Sequence, residues 1–274
     1  MKAAVPICLF FASLGLLPAQ TIVLKNGQEI SAESLRRSGP TVFARIQVAG
    51  GGSGEVGHAA ATIERIEFPR PAALAEAEDL RVSGRFDEAL KRLASVIDPS
   101  APFRDLRGSW WAPAMLKKVR SLLDAGRGKE AETTLPAIPK AFVADADVID
   151  LLRADILVQK QDLAEADALY DAIRKRTHND SVAAQSWVGT GTSRLAAQDA
   201  EGALLAFLRV PVLYPAETNT HPAALIGSAR AAAALGDQTE AAAAVEQLVT
   251  AHPSSVQAAQ ARREFPTLIP SNEK

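Results

Sequence analysis

"GRFDEAL", residues 84–90, is a glycine, a run of charge and an alanine that opens an apolar face, and the chain repeats it four times in altered form. The echoes are "GRGKEAE" at 126–132, "KQDLAEAD" at 160–167, "AQDAEGAL" at 197–204 and "GDQTEAA" at 236–242. Such a motif is either a ligand loop or a structural joint. Anchored on the alanine after each turn, Ala89, Ala131, Ala166, Ala203 and Ala241 recur at intervals of 42, 35, 37 and 38 residues. A period of that size predicts stacked helical hairpins.

The residues around each anchor supply the physical reason. Twelve positions earlier stand Ala77, Val119, Ala154, Gly191 and Ala229; four positions later stand Leu93, Leu135, Tyr170, Phe207 and Val245. Small residues let two antiparallel helices approach, and the bulky residue one turn on fills the gap to the next hairpin. A lone hairpin cannot bury its apolar faces, so stacking makes the core. The amphipathic segments fall at 72–83 with 86–97, 112–125 with 128–138, 145–160 with 162–176, 181–197 with 200–213, and 222–235 with 238–251. A closing segment, 254–264, is capped by Ser254 or Ser255. Gly84 is expected to end its helix in a left-handed cap. Pro136 and Pro139 fall inside the second helix of the second pair, which should kink or stop there.

These residues resemble the tetratricopeptide repeat family. In the fourth unit Trp187, Gly191, Ala203, Phe207 and Pro215 stand at the family's spacing, with Thr190 and Arg194 replacing its usual leucine and tyrosine. The fifth unit keeps Ala229, Ala241, Val245 and Pro253; the third keeps Ala154, Ala166 and Tyr170, with His178 where proline would fall. The resemblance covers about two-thirds of the chain. It implies a mainly α fold, a solenoid of about five hairpins plus a capping helix over 72–265 and a tail over 266–274. The stretch from "LLAFLRVPVLYP" to "HPSSVQAAQA" is also similar to repeats of bacterial envelope proteins of the Tol-Pal-associated and outer-membrane assembly kinds. Their lipid-anchor cysteine is missing here, and a β module is added.

Residues 20–69 are different in kind. Apolar alternation at Ile22, Leu24 and Ile30 brackets Asn26-Gly27, a hairpin signal. "TVFARIQV" (41–48) alternates again, "AGGGSGEVG" reads as a flexible glycine loop at a hairpin tip, and "ATIERIEF" (61–68) closes the module. Four or five short strands predict a small curled sheet or SH3-like barrel, making the whole α+β. Before it, "MKAAVPICLFFASLGLLPAQ" sets one lysine ahead of an apolar run and Pro18-Ala19 behind it, which predicts a secretory signal peptide over 1–19 cut after Ala19. Cys8, the sole cysteine, lies within that run, so the mature chain has neither a disulfide framework nor a cysteine nucleophile. No transmembrane span is expected after cleavage.

With Lys+Arg 30 against Asp+Glu 32, the chain has no basic excess to neutralise phosphates, so nucleic acid is not the expected partner. Lys25, Arg36, Arg37 and Arg45 give the β module only a thin basic face. His58, His178, His221 and His252 show no metal-ligand spacing. His178 with Asp180 could pair as base and orienter, but no nucleophile elbow accompanies them. Neither a catalytic constellation nor a cofactor or metal site is expected. Trp110-Trp111 read either as packing between the β module and the first hairpins or as an anchor for a ligand or partner.

In tetratricopeptide-like solenoids the first helix of each pair lines the concave surface. One residue after each small packing position come Glu78, Arg120, Asp155, Thr192 and Arg230, all polar. The reading that follows is an exported, non-enzymatic scaffold that receives a protein or peptide partner of the cell envelope along this row. Arg120 and Arg230 are its strongest charge handles. The alternatives are a hydrolase with a dispersed site and nucleic-acid binding by the β module.

Overall fold

The computed structural model describes residues 20–48 and 51–269. The expected leader, residues 1–19, with its cleavage point and Cys8, lies outside them. The described residues form two compact units. One holds the strands up to Pro69 together with Asp105–Ser109; the other holds Arg70–Arg104 and the chain from Trp110 on.

The strand unit contains β1 (Gln20–Leu24), β2 (Glu29–Ala32), β3 (Ser34–Ser38), β4 (Thr41–Val48), β5 (Gly52–Ala59) and β6 (Ile63–Glu67). They form two three-stranded antiparallel sheets, β2-β1-β6 and β3-β4-β5. The Asn26-Gly27 turn joins β1 to β2: Gly27 takes φ +84°, and Asn26 Oδ1 accepts from the Gln28 amide at 3.0 Å. Ile22 pairs with Ile30 on one side and Ile66 on the other, and a register shift after Val23 sets Leu24 opposite Ile63. That irregularity explains why Ile63 and Ile66, three apart, are both buried.

The glycine run is not a loop beyond its tip. From Gly52 it is a full strand, paired residue for residue with β4. Glycine is there for packing: a Cβ on Gly57 would lie 3.1 Å from the Phe43 ring and from the Thr41 methyl. Asp105–Ser109 joins this unit through specific bonds. The Ile66 amide donates to the Arg107 carbonyl at 2.8 Å, and Arg37 Nη2 donates to Asp105 Oδ2 at 2.9 Å. Gly108, at φ +84°, leaves no room for a side chain, since its Cβ would stand 1.8 Å from the Ile66 oxygen.

The helical unit consists of five hairpins and a closing helix. They are α1 (Ala73–Val82) with α2 (Phe86–Ser100), α3 (Trp111–Asp124) with α4 (Gly128–Thr134), α5 (Asp147–Gln159) with α6 (Leu163–Arg176), α7 (Asp180–Ala196) with α8 (Ala200–Leu213), α9 (His221–Ala234) with α10 (Gln238–Ala251), and α11 (Val256–Glu264). All five anchor alanines are 0% exposed. The residues four positions on are buried as well, with Leu93, Tyr170 and Val245 fully so. The second pair differs as its prolines require: α4 stops at Thr134, and Leu135–Ala137 continues as a 3-10 turn. Elsewhere Pro99 is accommodated inside the last turn of α2, which runs past the expected end at residue 97.

The repeated motif is a helix stop. Five residues before each anchor, Gly84, Gly126, Gln161, Gln198 and Gly236 all take positive φ, between 64° and 79°. The next residue's amide then reaches back five positions, Arg85 to Leu80, Arg127 to Leu122, Asp162 to Leu157, Asp199 to Arg194 and Asp237 to Ala232, at 2.8–2.9 Å. This is the Schellman closure, which satisfies the last carbonyls of the first helix. Asp199 and Asp237 also cap the second helix with their side chains, as Ser255 caps α11. "GRFDEAL" is therefore a joint.

Trp111 is 7% exposed and sits in the core with Met115, Val119 and Leu135, while Trp110 packs on the cluster of Leu74, Ala77 and Leu93. Both serve cohesion of the helical unit. Beyond α11, Phe265, Leu268 and Ile269 fold onto the final core cluster.

Candidate functional site

Within the helical unit, α1, α3, α5, α7 and α9 touch one another in succession, whereas no comparable contact joins consecutive second helices among the described residues. The first helices thus make a continuous wall, and the second helices stand outside it. The expected row lies on the first helices, but most of its charges are already bonded. Glu78 Oε2 accepts from Lys117 Nζ at 2.6 Å and Glu78 Oε1 from Arg81 Nη2 at 2.6 Å; Arg81 also pairs with Asp124 on α3. Arg120 Nη1 lies 2.6 Å from Asp155 Oδ2, tying α3 to α5. Arg230 holds Glu264 of α11 through two bonds of 2.8 and 2.7 Å. Thr192 is exposed, and its hydroxyl donates to the Val188 carbonyl of its own helix at 2.9 Å.

The row is thus largely tied up in ion pairs, which join α1 to α3, α3 to α5 and α9 to α11. The row positions were legible in the sequence, whereas the partners Lys117, Asp124, Tyr170 and Glu264 were not. Polarity at one position per repeat was visible, but which helix answers it depends on the rotation between hairpins. Arg120 and Arg230, expected as free charge handles, are both in carboxylate pairs.

Electrostatics follow from this arrangement. Burial opposes ionisation of Glu78, but Arg81 and Lys117 outweigh it and hold the carboxyl down at about 2. Burial likewise opposes the Arg120 charge, and Asp155 overcomes it, raising the guanidinium above its ordinary value. Burial first, then the neighbouring Asp155, pushes the Tyr170 phenol well up, so Tyr170 is a neutral donor whose hydroxyl bonds Asp155 Oδ1.

Glu78 supplies a pH test. Its folded value lies below the roughly 4.3 of an unfolded glutamate, so its contribution is complete above that value and is lost as pH falls towards about 2. With 38% of the side chain exposed and water screening the pair, Glu78→Gln is expected to cost about 1–2 kcal/mol at neutral pH. Urea unfolding across a pH series should show wild type and variant drawing together as pH falls from about 4.3 and meeting only near about pH 2.

A cleft of about 520 Å³ opens where α4 ends early, floored by Leu135, Ile138, Ile149 and Ile156 and rimmed by Glu132, Lys140, Arg153 and Lys160. Lys160 is raised by its bond to Glu132 at 2.9 Å, and Lys140 and Arg153 share Asp150. His178 and Asp180 are both exposed beside Asn179, which caps α7. His221 and His252, far apart in sequence, meet edge to face at 6.5 Å, and burial followed by His221 lowers His252. Among the described residues no three or more His, Cys, Asp or Glu side chains group as a metal site. No described helix is long and apolar enough to cross a membrane.

Residues 151–218 match the family model of the tetratricopeptide repeat. The match runs from within α5 to just past α8, the two units in which Tyr170 and Phe207 fill the inter-hairpin gaps. The same buried anchors and helix stops continue into the units on either side. No curated protein gives a significant match to the chain. The repeat supports a protein–protein interaction scaffold, the ordinary use of such arrays.

Proposed function

We propose that the chain is an exported, non-enzymatic scaffold of the bacterial cell envelope that holds a protein or peptide partner along the wall of its first helices. Export rests on the leader motif at 1–19, and the envelope on the likeness of the last repeats to envelope proteins. The carrying observation is the uninterrupted succession of first helices, with Glu78, Arg120, Asp155, Thr192 and Arg230 in line upon it. Since Arg120 is committed to Asp155 and Arg230 to Glu264, contact with the partner centres on the exposed Thr192. The groups with displaced titration belong to ion pairs and buried contacts between helices, which supports a scaffold over a hydrolase.

A photo-crosslinking residue placed at Thr192, and separately at the exposed Ala243 on α10, tests this in intact cells. The expected result is a discrete protein adduct from position 192 alone, formed by a protein whose N-terminus is Gln20 in the exported fraction. Equal adducts from both positions, or a chain retained in the cytoplasm, would overturn the proposal.

A further inference from the structure

The second helices have corresponding outward positions two, five and nine residues after the anchor alanine. In α2 these are Lys91, Ala94 and Asp98; in α6, Ala168, Asp171 and Lys175; in α10, Ala243, Glu246 and Thr250. In α8 they are Leu205, Leu208 and Val212. These three are 52%, 37% and 74% exposed, and Leu213 beside them is 54% exposed. The buried side of α8, Gly202, Ala203, Ala206, Phe207 and Val210, already forms the core contact. The leucines and valine are therefore a second apolar face on a helix whose first is fully used. Its sister helices carry polar or small residues at the same places. A contiguous exposed apolar stripe on an otherwise polar outer surface marks a contact.

The charges at its edges identify the occupant. Glu201 precedes Leu205 by one turn and Arg209 follows it by one turn, and neither has an opposite charge in a salt bridge among the described residues. The Arg209 guanidinium lies 4.3 Å over the Trp187 ring, which Arg174 covers from α6 at 3.9 Å. Arg209 is thereby held at the shoulder of the stripe. A helix with acid at its start, leucines in the middle and a base towards its end is complementary to itself when reversed. We infer that the outer face of α8 binds a second copy of this chain. The two α8 helices pack antiparallel across a two-fold axis at Leu205, with Leu208 flanking it, so that Glu201 of each copy meets Arg209 of the other. One helix stripe is well short of the roughly 800 Å² per partner of a stable dimer, so the association is weak and reversible.

Sedimentation velocity over a concentration series provides the test. Wild type should rise from monomer towards dimer within about 100 μM. Leu205→Gln, at an exposed site, should shift that midpoint at least about tenfold without changing the thermal transition. E201R and R209E should each lose self-association by a similar factor, since each sets like charges face to face. Mixed one to one, they should recover a dimer, because one variant then has two positive ends and the other two negative ones. A wild type that stays monomeric, a dimer indifferent to Leu205→Gln, or a mixture no more associated than its components would each overturn the inference. The mixing arm also separates lost charge pairing from any effect of removing Arg209 from Trp187.

Discussion

Phe207→Ala is expected to lower the free energy of unfolding by about 3–5 kcal/mol, the range for truncating a buried phenylalanine. The upper part of that range applies because the void cannot be refilled. Phe207 is 2% exposed, and its ring lies between two glycines, Gly191 on α7 and Gly227 on α9. A Cβ would stand 2.6 Å from the ring at Gly191 and 2.4 Å at Gly227. Two bare backbones thus form the walls of the slot, and neither has a side chain that could swing into the space. Gly227→Ala then provides a sign test. In wild type the alanine gains about 1 kcal/mol of helix propensity but overpacks a rigid ring, which costs about 1–3 kcal/mol, so the variant is destabilised. In the Phe207→Ala background the same methyl enters the void while the propensity gain remains, so it stabilises. Denaturant unfolding followed by far-ultraviolet circular dichroism measures all four proteins. A Gly227→Ala effect of the same sign in both backgrounds would sink this account of the slot.

That slot also shows how far the sequence could be read. Gly191 and Phe207 are at repeat spacing, so their meeting was legible, as were the five anchors and the proline stop of α4. Gly227 was not, because it lies outside the repeat's usual small position and its role appears only when α9 is docked on α8. Turn chemistry was legible where glycine marks it, at Gly84, Gly126 and Gly236. At Gln161 and Gln198 the same Schellman closure is made by a non-glycine residue, with no local residue preference to reveal it.

In the strand unit the misreading of the glycine run had a similar origin. Glycine lowers strand propensity, but here it makes room for Phe43 across the ladder, and pairing with β4 overrides the local preference. The return of Asp105–Ser109 to the strands leaves no periodic signal, since it acts through one backbone bond to Ile66 and the ion pair of Asp105 with Arg37. The outer stripe of α8 was hidden for the opposite reason. The helix is apolar on both sides, so its leucines looked like core until the buried side was assigned.

The buried pair between α3 and α5 should produce an effect as large. Arg120→Met is expected to cost about 3–5 kcal/mol, because it leaves Asp155 charged and uncompensated in a site where its side chain is only 16% exposed. The Tyr170 hydroxyl alone cannot offset that charge, and Gln185 on α7, which accepts from Arg120 Nη2 at 3.3 Å, also loses its partner. The loss should be electrostatic and not steric, since methionine fills most of the arginine's volume. Replacing the whole group by apolar residues, Arg120→Met with Asp155→Leu and Tyr170→Phe, should therefore return to within about 1–2 kcal/mol of wild type, as buried ion pairs commonly do when both charges are removed. Asp155→Leu combined with Arg120→Met but retaining Tyr170 should fall between, because the phenol then lacks its acceptor, at about 1–3 kcal/mol. Urea unfolding of the three variants at neutral pH gives the order. If the triple variant is as unstable as Arg120→Met, the contact holds the hairpins together by shape. If it recovers, the inner wall of this array is a place where charge specifies how one unit sits on the next, and where a partner must be recognised by what the ion pairs leave unbonded.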